Sequence, residues 1–532
     1  MRRLILASAA LAALAGPAAA EFALTLLHVN DLHSRLQPIS DSDGACPPEA
    51  DAAGACFGGV ARLATLVATR RAAAEAEGRA VLLLDAGDQF QGSPLYTTYK
   101  GAAEAEFMEA IGFDAMAVGN HEFDDGPEGL AGFLDAVSFP VISGNIDVSA
   151  SAPLAGRVAP HAVLEAGGER IGIVSALAVD TVETSSPGPD VVFSDEIESL
   201  TAAVAALEAE GVNKIVALTH VGLAKDIRIA GAVPGLDVIV GGHSHTWLSA
   251  SDPDAAGAYP TVIDGPDGTP VPIVQAYAYG RFLGELHVVF DEAGEVVSFG
   301  GDTLPIDASV APDPEIAARV DELAAPIEAL ENAVVAESVA PIDGDRADCR
   351  TGECEMGNLV ADAMLARSRD RGVRIAIQNG GGLRASIDAG PVTMGEVLTV
   401  LPFRNALATF RLSGAGVLAA LENGLSRVED RAGRFPQVAG LRFVWDPRAE
   451  PGARVVSAEV ATEDGWEPLD PEAVYGVATN DYMRGGGDGY AVFAERGTDA
   501  DDDGPALEQV VADHLAEMGP YEPYTDGRIS TR

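Results

Sequence analysis

Five apolar runs in this chain end in polar residues of one chemical kind. Ala23–Val29 leads into Asn30-Asp31-Leu32-His33, and Ala80–Leu84 into Asp85-Ala86-Gly87-Asp88. Asp114–Val118 leads into Gly119-Asn120-His121-Glu122. Lys214–Thr219 ends at His220, and Asp237–Val240 leads into Gly241-Gly242-His243-Ser244-His245. Sites in open α/β sheets form outside the carboxyl ends of strands. Five strand ends that bring Asp, His and Asn to one edge therefore read as a metal cradle. Carboxylate, imidazole and amide donors suit Zn²⁺, Mn²⁺ or Co²⁺. Two ions sharing a carboxylate need about seven or eight ligands, and such a pair clamps both oxygens of an in-line displacement. Asp-x-His alone is weak, and Gly-Asn-His-Glu and His-x-His are each stronger signals; their order, each after an apolar run, carries the reading. Five of the nine His fall in these motifs. His28, His161, His287 and His514 match nothing catalytic and read as strand or structural residues.

The elements that must position these residues follow from periodicity. The runs are short and rich in Val, Ile and Leu, and helical stretches such as Arg62–Glu77 and Asp195–Glu210 separate several of them. This alternation predicts an α/β region with buried strands, to about residue 305. Ala311–Ala336, rich in Ala and Glu and without Gly, predicts a connecting helix between domains; composition does not distinguish it from a surface helix of one domain. A second mixed region follows. It has apolar runs at Arg374–Ile377 and Val474–Ala478 and helical stretches at Met356–Arg369 and Gly414–Glu422. Asp499–Gly504 reads as a short, acidic, exposed turn.

A chain of 532 residues is too long for one core. Its first twenty residues stand apart, with Arg2-Arg3, an apolar run from Leu4 to Ala15, and Ala18-Ala19-Ala20 before Glu21. This is the pattern of a secretory signal cleaved near Ala20. No later run is long and apolar enough to span a bilayer, so the mature protein is expected to be soluble, periplasmic or secreted. Formal charge is −47, with three Lys against 31 Arg. Such acidity argues against binding nucleic-acid polymers or anionic membranes. An anionic substrate then needs local positive charge at its site. The four Cys allow three connectivities. The local pairs Cys46–Cys56 and Cys349–Cys354 are the simplest in an oxidising compartment. A Cys₄ zinc site is the rival, although neither pair has the CxxC spacing.

The ordered motifs, in the fuller forms Asn30-Asp31-Leu32-His33, Asp85 to Ser93 and Gly119 to Asp124, resemble the 5′-nucleotidase branch of the calcineurin-like metallophosphoesterases. The second half resembles it independently, through Met356-Gly357-Asn358-Leu359, Gln378 to Arg384, Leu401-Pro402-Phe403, and Asn480-Asp481-Tyr482 to Gly489. The resemblance covers residue 21 to about residue 525. It implies a four-layer α/β/β/α metallophosphatase domain over 21–310, a linker over 311–336 and a mixed α/β nucleotide-binding domain over 337–532. It also implies closure of one domain on the other, with 311–336 as the natural hinge.

The resemblance implies that Asp31, His33, Asp88 and His245 hold one ion and that Asp88, Asn120, His220 and His243 hold the other. His121 would sit over the phosphate, oriented and charged by Asp124. Phe403 and Tyr482 would sandwich the base, which is a base-tolerant contact, and Asp488 would bind the ribose hydroxyls. Asn379, Arg384 and Arg350 would contact base or phosphate. On sequence alone Phe403 is equally a core aromatic, and the Gly-rich run at 485–489, with no Lys-Ser/Thr sequel, is only a turn. Ser40–Phe57 is an insertion after the first motif. It reads first as a stapled surface loop, with an overhang of the site as the alternative. The implied activity is hydrolysis of nucleoside 5′-monophosphates. Alternatives are a UDP-sugar or dinucleotide pyrophosphatase, a 2′,3′-cyclic nucleotide phosphodiesterase, or a non-catalytic nucleotide-binding protein. The last would lose ligand positions, and every one is filled here.

Overall fold

The computed structural model describes residues 21–532 apart from 463–464 and 503. The signal expected over residues 1–20 lies outside the described residues. The chain opens with β1 (Phe22–Val29), α1 (Val60–Ala76), β2 (Ala80–Asp85), α2 (Ala102–Ile111), β3 (Ala115–Ala117), α3 (Gly126–Ala136) and β4 (Val141–Ile142). It continues with β5 (His161–Ala166), β6 (Glu169–Leu177), α4 (Thr181–Thr184), α5 (Glu196–Ala209), β7 (Ile215–His220), α6 (Leu223–Ala232) and β8 (Val238–Gly241). Four antiparallel-paired strands close this half: β9 (Thr261–Asp264), β10 (Pro270–Val274), β11 (Phe282–Phe290) and β12 (Val296–Pro305).

These strands form two six-stranded sheets, ordered β12-β11-β1-β2-β3-β4 and β9-β10-β8-β7-β6-β5. Their centres are parallel, β1 to β4 in one and β6, β7, β8 and β10 in the other. Side chains alternate across each strand. Leu24, Leu26, Leu82 and Leu84 of the first sheet meet Ile171, Ile173, Val216, Leu218, Val238 and Val240 of the second in one buried layer. The intervening residues point outward. Leu27, Val29 and Leu83 pack under α1 and α2, and Ile215, Ala217 and Ile239 pack under α5 and α6. Each buried Leu or Ile contributes about 1.5–3 kcal/mol. The expected four-layer α/β/β/α arrangement is thus the product of period-2 strands that are apolar on both faces.

The expected connecting helix over 311–336 is not one helix. α7 (Pro314–Ala324) starts at the Asp313 cap and packs Val320 and Leu323 into the first half. Pro326 follows, and proline lacks the N–H that a continuing helix needs. After a turn of helix at Glu328–Glu331, the β-branched Val334 and Val335 open β13 (Val334–Ser338). The second half then runs through α8 (Arg346–Cys349), α9 (Glu355–Ser368), β14 (Val373–Asn379), β15 (Gly390–Thr393), β16 (Leu407–Ser413) and α10 (Gly414–Leu425). It continues with β17 (Pro436–Ala439), β18 (Val474–Asn480), β19 (Thr498–Asp501) and α11 (Leu507–Met518), and a separate four-stranded sheet takes in Leu441–Trp445, Val455–Thr462, Gly465–Pro468 and the last strand, Ile529–Thr531. β13 pairs with β15, so it belongs to this half. The main sheet is ordered β17-β14-β18-β16-β19, with α9 packed on one face and α10 on the other. The segment expected as an acidic turn from Asp499 begins instead as β19, an exposed edge strand beside β16.

The two local disulfides, Cys46–Cys56 and Cys349–Cys354, are both formed, which removes the Cys₄ zinc alternative.

Two outcomes test the fold. A Cβ on Gly284 in β11 would lie 2.0 Å from Nε2 of His28, which is buried and 2.9 Å from the Tyr259 hydroxyl. Gly284→Ala should cost about 1–3 kcal/mol in urea unfolding, whereas Gly300→Ala on β12, with nothing within 4 Å of its Cβ, should stay within about 0.5 kcal/mol. Asp237 accepts the Ile215 N–H at 2.7 Å, and burial pushes its pKa up to about 8. A carboxylate raised on folding contributes stability that is whole below about pH 4 and lost as pH rises toward the folded value. Asp237→Asn should therefore reduce the fall in stability between pH 5 and 8; an unchanged slope would clear Asp237 of that role.

Candidate active site

The carboxyl ends of β1, β2 and β3 in one sheet and β7 and β8 in the other open on the same edge. Leaving β1, the chain presents Asp31 and His33; after β2 comes Asp88, after β3 Asn120 and His121, at the end of β7 His220, and after β8 His243 and His245. Five of these residues take left-handed backbone: Asp31 (φ 52°), His33 (50°), Asp88 (60°), His243 (74°) and His245 (51°). Such strain costs of order 1–3 kcal/mol per residue and gathers at functional sites. Gly119 is required by close approach, since a Cβ there would sit 2.3 Å from Asp88 Oδ1.

The side chains converge in three overlapping groups: Asp31, His33 and His245; His33, Asp88 and His121; and Asp88, His220 and His243. His33 Nε2 and His245 Nε2 face each other at 3.0 Å, with Asp31 Oδ1 3.2 Å from His245 Nε2. His33 Nδ1 lies 3.2 Å from the Phe90 carbonyl, and His220 Nδ1 lies 2.7 Å from that of Ala86. A carbonyl only accepts, so Nδ1 carries a proton and each Nε2 points inward. His220 Nε2 then lies 3.0 Å from Asp88 Oδ2 and 3.2 Å from Asn120 Oδ1, and His243 Nδ1 lies 2.9 Å from the same amide oxygen. His33 and His245 are held well below the ordinary imidazole range, by burial and then by Arg384 and Arg346 respectively. Burial and then His220 lower the pKa of His243 to about 3. Burial opposes a charge on His220 as well, but Asp88 and then Asp31 outweigh it and push its pKa up to about 10, so His220 carries a proton that a bound cation would displace. Imidazoles, carboxylates and an amide oxygen packed this closely fit cations. Two divalent ions could sit here, with Asp88 between the groups.

His121 lies close to His33 and Asp88 but differs from the other imidazoles in its partner. Its Nδ1 is 2.6 Å from Asp124 Oδ2. Burial works against a charge on His121, but Asp124 and then Asp88 outweigh it and raise its pKa. Glu122, the last residue of the same motif, had no role in the sequence reading. Its buried carboxylate accepts the N–H groups of Asp88 (3.0 Å), Gln89 (2.9 Å), Phe90 (3.2 Å) and Gly119 (2.6 Å). It thereby fixes the loop that presents Asp88.

The second half forms the other wall of a cleft of about 1070 Å³. Arg350, Asn379, Arg384, Phe403, Tyr482 and Asp488 all line it, together with Asp88, Asn120, His121, Asp124, His243 and His245. Arg384 Nη2 reaches to 3.2 Å from His33 Nε2, and the Phe403 ring lies 5.8 Å from that of His121. Asp488 Oδ2 accepts from Asn379 Nδ2 at 2.6 Å, and the Asp488 N–H donates to the Tyr482 hydroxyl at 3.1 Å. The two aromatic rings are both cleft residues, so Phe403 is not a core aromatic. Arg346, absent from the sequence reading, donates to the His243 carbonyl at 3.3 Å. Its position four residues before Arg350 was the available signal. Arg350 is held well below the ordinary guanidinium value by burial and then by Arg346 and Arg384. Three arginines this close are a place for an anion. The Ser40–Phe57 insertion also reaches the site. Asp41, Ser42 and Asp43 line the cleft, and Ser42 Oγ donates to Asp388 of the second half at 3.2 Å. His28, His161 and His287 lie on strands and His514 on α11, none of them in the cleft.

The sequence matches a family model for calcineurin-like phosphoesterase over residues 24–247 and one for the 5′-nucleotidase C-terminal domain over residues 332–495. A 5′-nucleotidase of Bos taurus is 40% identical over 543 residues, covering 98% of this chain and 93% of the bovine protein. Among solved structures, a 5′-nucleotidase precursor from Thermus thermophilus matches with a TM-score of 0.90 at 43% identity, over 96% of this chain and 99% of that one. The NAD nucleotidase of Haemophilus influenzae matches with a TM-score of 0.58 at 28% identity, over 96% and 99% of the two chains.

Glu122→Gln replaces an acceptor oxygen by a donor amide among four N–H groups. It should weaken divalent-cation binding about 10- to 100-fold, read by calorimetric titration of metal-stripped protein with Mn²⁺. Unchanged affinity would mean that the Asp88 loop holds its shape unaided.

Proposed function

The chain belongs to the 5′-nucleotidase family, and from that premise we propose that it hydrolyses nucleoside 5′-monophosphates to nucleoside and phosphate. The observation that carries this reading is one cleft with two kinds of wall. Asp and His converge on one side; Phe403, Tyr482, Asn379 and Asp488 lie on the other. A nucleotide has the same division between phosphate and nucleoside.

We assign Asp31, His33, Asp88 and His245 to one divalent ion and Asp88, Asn120, His220 and His243 to the other, with Zn²⁺, Mn²⁺ or Co²⁺ suited to the donors. Bound there, such ions lower the pKa of water and neutralise phosphoryl charge. The chain's own residues supply the rest. Arg350 and Arg384 bind phosphate oxygens, which relieves the mutual repulsion of the cleft arginines. His121, whose charged form Asp124 favours, donates to the phosphoryl group or to the departing 5′-oxygen. Phe403 and Tyr482 hold the base through its π faces, and Asp488, steadied by Asn379, accepts from ribose hydroxyls. We place catalysis in residues 21–310 and nucleoside recognition in 337–532. The Arg2-Arg3 start and apolar run support export to the periplasm or medium, and among the described residues no helix is long and apolar enough to cross a membrane. A second reading, cleavage of dinucleotides, is favoured by the likeness to an NAD nucleotidase.

The test is phosphate release from AMP, UMP, ADP, UDP-glucose, NAD and 2′,3′-cyclic AMP, with product chromatography for the last three. AMP or UMP should turn over fastest, EDTA should abolish turnover and Mn²⁺ or Zn²⁺ should restore it. His121→Ala should lower kcat at least about 100-fold. Turnover confined to diphosphates or the cyclic substrate would overturn the assignment of the second-half pocket.

A further inference from the structure

The one-turn helix α4 belongs to the first half but is gripped by the second. Arg427 Nη1 donates to Asp180 Oδ2 at 2.5 Å, and Arg434 Nη2 donates to Glu183 Oε2 at 2.5 Å. The Tyr482 hydroxyl donates to the Glu183 carbonyl while accepting the Asp488 N–H. Two residues assigned above to the nucleoside are therefore bonded to each other and, through Tyr482, to this turn.

At its other end the turn touches the catalytic dyad. α4 ends at Ser185, where the backbone turns extended (φ −154°, ψ −163°). The Ser185 hydroxyl donates to Asp124 Oδ1 at 2.6 Å, and Asp124 Oδ2 holds His121 Nδ1 at 2.6 Å. The two carboxylate oxygens are divided between Ser185 and His121. A carboxylate held by one oxygen can swing about χ2, whose well is broad. A second bond fixes its plane and so fixes the imidazole. α4 itself is anchored at Thr181, which is buried and donates to the Ala178 carbonyl at 2.7 Å. Beyond Thr181 the turn bonds back on itself, Ser185 N–H to the Thr181 carbonyl at 2.9 Å, while Val182 is 57% exposed. Glu183 and Ser185 are thus placed by Thr181 on one side and by the grip of Arg427, Arg434 and Tyr482 on the other.

We propose that the Asp180–Ser185 turn couples closure of the second half to catalysis, with Ser185 as the positioning residue that orients Asp124 and, through it, His121. The proposal rests on the nucleotidase reading. Nucleoside recognition and the acid that acts on the phosphate are then one mechanical unit, joined through six residues of chain.

Ser185→Ala should lower kcat on AMP about tenfold and leave KM within about twofold. Ser185→Thr, which keeps the hydroxyl, should restore most of the loss. In a cycle with Arg434→Ala, the double variant should be no slower than the slower single variant, because both changes cut the same chain. Additive losses, equal impairment of Ala and Thr variants, or a rise in KM with kcat unchanged would overturn the coupling. Wild-type inactivity on AMP would overturn the nucleotidase reading along with it, whereas an active wild type with an unimpaired Ser185→Ala overturns the coupling alone.

Discussion

The apolar layer between the two six-stranded sheets holds the rest of the molecule in register. Leu24, Leu26, Leu82 and Leu84 press against Ile173, Val216, Leu218 and Val240, and that contact sets the height of one sheet against the other. Only at that height do the ends of β1, β2 and β3 come level with those of β7 and β8. The pair His220 Nε2–Asp88 Oδ2 at 3.0 Å joins the two sheets directly. A slip of one residue in either sheet would move each strand end by about 3.3 Å and turn its side chains to the opposite face. A hydrogen-bonding site would not survive that, so the least polar part of the fold carries the tolerance of the most polar part.

What the layer holds is strained. Asp31, His33, Asp88, His243 and His245 sit in a backbone region that L-residues avoid. The strain is balanced locally. Glu122 gathers four N–H groups around the Asp88 loop, and Gly119 makes room for it. Asn30 does similar work beside Asp31, donating to Asp31 Oδ2 at 2.8 Å while its amide oxygen accepts the Ala276 N–H at 2.8 Å. Rigid presentation is what a site of close-set lone pairs needs, because relaxation would let the imidazoles turn away from one another.

Much of this was legible in the sequence, for a definite reason. Strands that are apolar on both faces leave a strong signal, and a strand end is one fixed step from its last apolar residue. Asp31, Asp88, Asn120, His121, His220 and His243 could therefore be placed at one edge from order alone. The disulfides followed from short spacing. Features made by tertiary contact were not legible. Composition favoured one long helix over 311–336, but Pro326 and the pair Val334-Val335 outweighed it, and the last part became a strand of the other half. Arg346 stands four residues before Arg350 and Ser185 lies in no pattern, but only folding brings them to His243 and Asp124. The insertion at Ser40 read as a stapled loop, since nothing local announced that Ser42 would face Asp388.

The arginines of the cleft sit inside a strongly anionic body, with a formal charge of −47 over the chain. A dianionic nucleotide approaching from a distance meets repulsion first. It meets attraction only within about a Debye length of the cleft, roughly 8 Å at physiological ionic strength. Salt thins the outer barrier while leaving the half-buried guanidinium groups less screened. Capture should then quicken as ionic strength rises, the reverse of ordinary electrostatic steering, and released phosphate should be driven outward. In brine the molecule would be a better trap than in fresh water.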